Sequence, residues 1–228
     1  MFFLPKKWNK QVVIWINEEG KAGLLTADGA PRPDVQKLLS AGAAVCGVDL
    51  LFQGEFLPDG KPISHTRKVA NPREFAGYTF GYNHSLFEQR VHDVLTVIGF
   101  CKHYKLKPDV IDLIALDGTG PIAAMALAQA GGIVRKAALD THGFRFGKLT
   151  DFHDPMFMPG AAKYGDLPGI LSLVAPVELQ LAGETPDSAP LVAAAYRALG
   201  AEKNVSWQPA GAKPGAESAV SFVLGMSK

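Results

Sequence analysis

The turn after the third predicted strand carries the clearest candidate for chemistry. Residues 115–121 read Ala-Leu-Asp-Gly-Thr-Gly-Pro and lead directly into an Ala-rich helix. Small residues on either side of Asp117 allow a tight, strained bend that projects its carboxylate beyond the sheet. Such a carboxylate can act as a nucleophile, while backbone N–H groups at the helix start stabilise negative charge. The alternative is that Asp117 caps the helix.

His142 is the best candidate for a base beside this turn. It follows the fourth predicted strand, in Leu-Asp-Thr-His-Gly over residues 139–143. The ordinary pKa of histidine, about 6.5, suits proton transfer at neutral pH. Asp140 is placed to orient the imidazole. The ordinary structural alternatives are a histidine hydrogen-bonded within its loop and an aspartate that caps a turn.

Two acidic residues follow the first predicted strand, in the loop that faces the same edge. The backbone N–H groups of Glu18 and Gly118 are candidate oxyanion donors, but the carboxylates of Glu18 and Glu19 would disfavour a developing negative charge unless Lys21 offsets them. Glu19 is a candidate catalytic residue that would raise the pKa of a neighbouring carboxyl group or bind a divalent metal with His142. Spacing does not favour metal ligation, so we expect no metal or cofactor and treat solvated surface charge as the alternative.

Two further acids follow the fifth predicted strand. Glu184 and Asp187 lie in the sequence Ala-Gly-Glu-Thr-Pro-Asp that leads towards the next helix. Either could be the acid that orients a catalytic histidine, and either could be an ordinary polar loop residue.

Strands and helices alternate along the chain, and most of the strands are continuously apolar. This pattern predicts a three-layer α/β/α sandwich with a mostly parallel, doubly wound sheet. Right-handed crossovers place every strand's carboxyl end at one edge, so the candidate residues should converge there. We expect a single domain over residues 1–228, with irregular excursions at about 56–83 and 143–169.

The order of elements resembles the α/β-hydrolase superfamily, in particular domains of the acetyl xylan esterase and dienelactone hydrolase type. The resemblance runs from about Val12 to Leu224, with the first two strands of that fold missing. It rests on the turn at Asp117 and on three further segments: 44–55, 89–94 and 181–184. It implies hydrolysis of small carboxylic esters, with carbohydrate acyl esters among the expected substrates.

The chain departs from this family in its triad. Asp117 stands where the family has Ser or Cys, and residues 210–215, the expected position of the histidine, read Ala-Gly-Ala-Lys-Pro-Gly. No histidine follows His153. The triad is therefore predicted to be degenerate, which leaves two hypotheses: an ester hydrolase with a non-standard site, or a non-catalytic domain that packs within a larger esterase or binds carbohydrate. A nucleotide-binding turn is disfavoured because the glycine spacing is wrong and Asp117 would repel phosphate.

Composition limits the partners. The 228 residues include 23 Lys and Arg against 22 Asp and Glu, so no strong field attracts nucleic acid or an anionic membrane. No apolar run reaches the length of about 18 residues that a membrane span needs. The first seven residues are too short for a secretory signal, so the chain as it stands is expected to be soluble and cytoplasmic, or exported within a longer protein of the family type.

Cys46 and Cys101 are expected to be buried thiols. A sheet edge bared by missing strands predicts pairing with a second copy or a partner hydrolase domain.

Overall fold

Within the residues that the structure describes, the sheet has seven strands, and six of them run parallel. The computed structural model describes residues 1–71, 74–105, 107–208 and 215–226. The strand order is β1-β3-β2-β4-β5-β6-β7, and only β1 is antiparallel to its neighbour. The strands are β1 (Phe2–Phe3), β2 (Gln11–Ile16), β3 (Ala44–Gly47), β4 (Val110–Ala115), β5 (Lys136–Asp140), β6 (Glu178–Ala182) and β7 (Val205–Gln208).

Helices cover both faces of the sheet. Alternate residues of each strand point to opposite faces, so Val12, Ile14 and Ile16 pack into one apolar cluster while Val13 and Trp15 pack into another. The first cluster lies under α3 to α6 and the second under α1 and α7, which confirms the three-layer sandwich. The helices are α1 (Pro33–Ser40), α2 (Ala76–Phe80), α3 (Leu86–His103), α4 (Gly120–Gln129), α5 (Asp166–Ser172), α6 (Pro190–Ala198) and α7 (Ala216–Val223).

The chain start differs from the expectation that both leading strands are missing. Phe2 and Phe3 form a short antiparallel strand on the outer edge of β3, in register with Cys46 and Val45. The ring of Phe2 stacks on Tyr104, with ring centroids 5.5 Å apart. This contact with the end of α3 helps to hold the segment against the sheet.

The two irregular excursions pack against each other above the carboxyl edge of the sheet. The backbone N–H of Thr66 donates to the carbonyl of His153 over 2.8 Å. Phe80, in α2, contacts Phe152 and Phe157 of the second excursion. The excursions therefore form a wall beside the region in which the candidate residues meet.

Both cysteines are buried and free, as expected. Across the described ranges, no helix combines the length and the apolar character that crossing a bilayer demands.

Candidate active site

Asp117 occupies a tight turn between β4 and α4. Its φ is +52° and that of Gly118 is +81°, and the N–H of Thr119 closes the turn on the carbonyl of Leu116 over 3.2 Å. Positive φ at both central residues is the pattern of a type I′ turn, which Asp and Gly tolerate best. The Thr119 hydroxyl donates to the carbonyls of Leu116 at 2.7 Å and Ile16 at 3.2 Å, so the turn is tied to the ends of both β4 and β2.

The helix-capping interpretation of Asp117 is wrong. Thr119 occupies the N-cap position of α4, and no side chain makes a cap hydrogen bond there. The Asp117 carboxylate is exposed, and no described residue binds it by a hydrogen bond or an ion pair. It stands as a free anion on the carboxyl edge of the sheet.

His142 and Asp140 form a close pair directly beside this turn. The Nε2 atom of His142 lies 2.6 Å from Oδ2 of Asp140, and the His142 backbone N–H donates to Oδ1 over 3.1 Å. Asp140 is buried, while the imidazole is largely exposed. Burial raises the pKa of the Asp140 carboxyl above its ordinary value, and the charge of Asp117 adds to that rise, although the bonds from His142 oppose it.

Asp117 and His142 are shared by two clefts. One has a volume of about 470 Å³ and is also lined by Glu18 and by residues of both excursions, including Ile63 and Met156. The other, about 340 Å³, lies on the side of α1 and α7 and is also lined by Asn17, Arg32 and Asp140. A molecule that reaches between the carboxylate and the imidazole can therefore extend to both sides.

The candidate oxyanion donors lie at the larger cleft, and Lys21 is paired with other carboxylates. Glu18 and Gly118 both line the larger cleft, and within the described chain neither backbone N–H has an acceptor. Lys21 does not offset the charge of the Glu18 carboxylate, because its ammonium group pairs with Asp49 at 3.1 Å and with Glu55 at 2.8 Å. These two carboxylates raise the pKa of Lys21, with Glu55 contributing most.

Solved structures of known proteins show the same architecture. A proposed acetyl xylan esterase from Bacteroides fragilis matches 91% of this chain with a TM-score of 0.61 and 16% identity. A glucuronoyl esterase from Solibacter usitatus matches 99% with a TM-score of 0.59 and 14% identity, and a lipase in its open form matches 99% with a TM-score of 0.58 and 12% identity. The fold is that of the α/β hydrolases.

The likeness extends to structure rather than to sequence. No protein-family model and no curated protein sequence matches this chain. The chain spans 61% of the Bacteroides protein, 75% of the glucuronoyl esterase and 92% of the lipase. At these identities the comparison shows the α/β-hydrolase fold, and the chemistry depends on the residues of this chain.

Glu184 lies where the resemblance places a triad acid, yet it is fully occupied elsewhere. Its buried carboxylate accepts two bonds from Arg145, at 2.7 and 2.8 Å, and one each from the hydroxyls of Ser188 at 2.6 Å and Thr141 at 3.1 Å. Burial alone would raise the pKa of Glu184, but these bonds outweigh it and lower the pKa. Asp187 is exposed in the turn that follows.

Glu19 lies at the outer rim. It is exposed, its carboxylate pairs with Arg32 at 3.5 Å, and it is not among the residues that line either cleft. Its catalytic role stays a prediction. The metal-binding alternative gains no support, because the part of the chain that the structure describes holds no cluster of three His, Cys, Asp or Glu residues suited to a metal ion.

Two residues at the site were not assigned a role from the sequence. Arg90 lines the larger cleft from α3, and Arg145 binds Glu184 from the loop that carries His142. Arg90 lies in the 89–94 segment on which the resemblance rests, which was the available signal, whereas nothing local marks Arg145. Of the segment expected to hold the family's histidine, residues 210–214 lie outside the described residues.

Proposed function

We propose that this protein hydrolyses small carboxylic esters, carbohydrate acyl esters among them, through Asp117, His142 and Asp140. The observation that carries the proposal is the 2.6 Å contact between Asp140 and His142 beside the Asp117 carboxylate, which has no partner among the described residues. A base held by a buried acid, next to a free anion and two backbone donors, has the parts needed for acyl transfer to water.

The proposed reaction uses water as the nucleophile. With its Nε2 proton donated to Asp140, His142 keeps the lone pair of Nδ1 free to accept a proton. A water molecule attacks the ester carbonyl carbon as His142 takes its proton, and Asp117 accepts the water's other hydrogen bond. The oxyanion forms beside the N–H groups of Glu18 and Gly118, and its collapse expels the alcohol oxygen, which receives the proton from His142.

A direct attack by Asp117 on the carbonyl carbon is the less favourable route. It would produce a mixed anhydride, which is higher in energy than the ester from which it forms, whereas the water route has no such intermediate. Asp117 and His142 form no ion pair with each other, and the proposal places the attacking water between the two side chains. Glu19 is assigned no direct part in this reaction, because it binds Arg32 at the rim.

The substrate class draws on the comparisons. The fold neighbours described as an acetyl xylan esterase and a glucuronoyl esterase are named for esters of carbohydrates. The two clefts that meet at Asp117 and His142 fit a substrate with groups on both sides of the scissile bond, as an ester has.

The test is turnover of 4-nitrophenyl acetate and of an acetylated xylose by the purified protein. Asp117→Asn and His142→Gln are each expected to lower kcat/KM by about 10²-fold or more. His103→Gln, an exposed position at the end of α3, is the matched control and should retain the wild-type rate. Equal rates in the wild type and both site variants would overturn the proposal.

Isotope labelling detects a direct attack by Asp117 in which water then opens the anhydride at the Asp117 carboxyl carbon. In a single turnover in H₂¹⁸O with enzyme in excess, the released acetate should contain ¹⁸O while the peptide that carries Asp117 stays unlabelled. Label in that peptide would show that Asp117 itself attacks the substrate.

The second candidate function is a non-catalytic domain that binds carbohydrate or packs against a partner domain or a second copy. The aspartate in place of the family's nucleophile favours this reading. A protein that shows no turnover but binds xylo-oligosaccharides in calorimetry would establish it.

A further inference from the structure

We propose that Gln53 is a positioning residue, whose buried amide holds the loop after β2 so that the Glu18 N–H faces the reacting carbonyl. This role rests on the proposed function, because the N–H matters only if an oxyanion forms in the cleft. Gln53 itself is not required to touch the oxyanion; it acts through the loop that it binds.

The Gln53 amide joins two loops at the edge of the sheet. Gln53 is 3% exposed. Its Nε2 donates to the carbonyl of Asn17 over 3.3 Å, and its Oε1 accepts from the N–H of Leu50 over 3.1 Å. Because Asn17 directly precedes Glu18, a bond on the Asn17 carbonyl fixes the peptide plane whose N–H belongs to Glu18.

The turn that carries Gln53 is itself held by α3. The Arg90 guanidinium donates from Nε to the carbonyl of Leu51 at 2.9 Å and from Nη2 to that of Phe52 at 3.1 Å. The N–H of Leu51 donates to Asp93 over 2.8 Å. Gln53 therefore extends from a braced turn, which makes it a stable anchor for a neighbouring loop.

A second anchor fixes the other end of the same loop. The buried carboxylate of Asp49 accepts from the N–H of Lys21 over 2.8 Å and from that of Glu55 over 3.2 Å. Gly20 packs so closely on Asp49 that any side chain there would overlap the carboxylate. With Asn17 and Lys21 both held, the position of Glu18 between them is restricted.

The chemistry gives this restriction a measurable consequence. Stabilisation of an oxyanion depends on donors already aimed at the place where charge develops, and a misplaced donor lowers kcat rather than substrate binding. Of the amide's two bonds, the one to Asn17 requires a donor on Gln53. A carboxyl group of the same shape supplies that donor only when it is protonated.

The test is Gln53→Glu, followed as the ratio of its kcat to that of the wild type across pH. When ionised, the introduced carboxylate loses the donor and faces the Asn17 carbonyl, so we expect kcat about 10- to 100-fold below wild type at pH 8, with KM within about twofold. As pH falls and the carboxyl group takes up a proton, the ratio should rise towards one. Gln53→Leu should be low at every pH, and Gln89→Glu, on the exposed face of α3, should keep a flat ratio.

The outcomes separate the two claims. A Gln53→Leu variant with wild-type kcat, or a Gln53→Glu ratio that is low but does not change with pH, would overturn the positioning role and leave ester hydrolysis intact. A wild-type protein without ester turnover would overturn the proposed function, and the role of Gln53 with it. Thermal unfolding of each variant shows whether a lower rate comes from loss of the folded protein.

Discussion

Gly120, the first residue of α4, packs directly against the main-chain carbonyl of Asp140 at the end of β5. A Cβ on Gly120 would overlap the carbonyl oxygen and carbon of Asp140. The start of α4 carries the Asp117 turn, and the end of β5 carries the Asp140–His142 pair, so this contact sets the separation of the two halves of the site. Only a residue without a side chain permits it.

The first prediction is that Gly120→Ala moves the Asp117 turn away from the Asp140–His142 pair. Because main-chain atoms cannot yield as a flexible side chain can, we expect a loss of about 1–3 kcal/mol in the free energy of unfolding, measured by urea denaturation, and a lower kcat. Gly99→Ala, in the middle of α3 with open space around it, is the matched control and should be neutral or slightly stabilising. Equal effects of the two substitutions would contradict the close packing.

The second prediction is that Asp140→Asn makes the protein more stable than wild type near neutral pH and lowers its activity. Because the folded protein raises the pKa of Asp140, this group's contribution to stability is complete below its unfolded pKa, about 3.9, and is lost as pH rises through the folded value. Asparagine cannot ionise, so the variant should gain stability relative to wild type as pH increases from about 3 to 7. Its kcat/KM should fall by about 10²-fold or more, since the amide no longer holds the imidazole as a carboxylate does.

Chemical denaturation at several pH values checks this second prediction. A difference in unfolding free energy between Asp140→Asn and wild type that does not change with pH would show that the Asp140 carboxyl group is not perturbed by folding.

The third prediction is that Glu19→Gln has little effect. The Glu19 carboxylate and its Arg32 partner are 66% and 51% exposed, and such pairs contribute between zero and about 1 kcal/mol. We expect kcat/KM within about twofold of wild type and an unchanged unfolding midpoint. A tenfold loss of kcat/KM without loss of stability would instead support the catalytic role that the sequence suggests for Glu19.

The parts of the site that sequence could predict are those fixed by local geometry and by sheet topology. The small residues around Asp117 indicate a tight turn, and the spacing of Asp140 and His142 places both just beyond a strand. Parallel strands then bring these segments to one edge, and the structure places Asp117 and His142 in the same two clefts.

The parts that sequence could not predict depend on which charged side chains meet across loops. Lys21 is close to Glu18 and Glu19 in the sequence, yet it binds Asp49 and Glu55, because the β2 and β3 loops pack together. Glu184 is engaged by Arg145, which comes 39 positions earlier. Periodicity and local motifs carry no information about such pairings, which are decided by the final packing.

The last prediction contrasts the two acids after β6. Glu184→Gln breaks a buried pair and leaves the Arg145 guanidinium, 19% exposed, without its carboxylate. Removing one partner of a buried pair costs about 3–5 kcal/mol, so we expect a loss of this order in the free energy of unfolding at pH 7. Asp187→Asn lies three residues later, on the exposed turn, and should change the free energy of unfolding by less than about 0.5 kcal/mol.

The stability lost in Glu184→Gln should depend on pH, because folding lowers the pKa of Glu184. A carboxyl group whose pKa is lowered by folding stabilises the protein above its unfolded pKa, about 4.3, and loses that contribution as pH falls through the folded value. The difference in free energy of unfolding between wild type and Glu184→Gln should therefore be largest near neutral pH and become smaller below about pH 4. Because Thr141 and Arg145 flank His142 and both bind Glu184, kcat should fall in Glu184→Gln and persist in Asp187→Asn. If this difference in free energy of unfolding instead increased on acidification, the Glu184 carboxylate would not be the stabilising partner of Arg145.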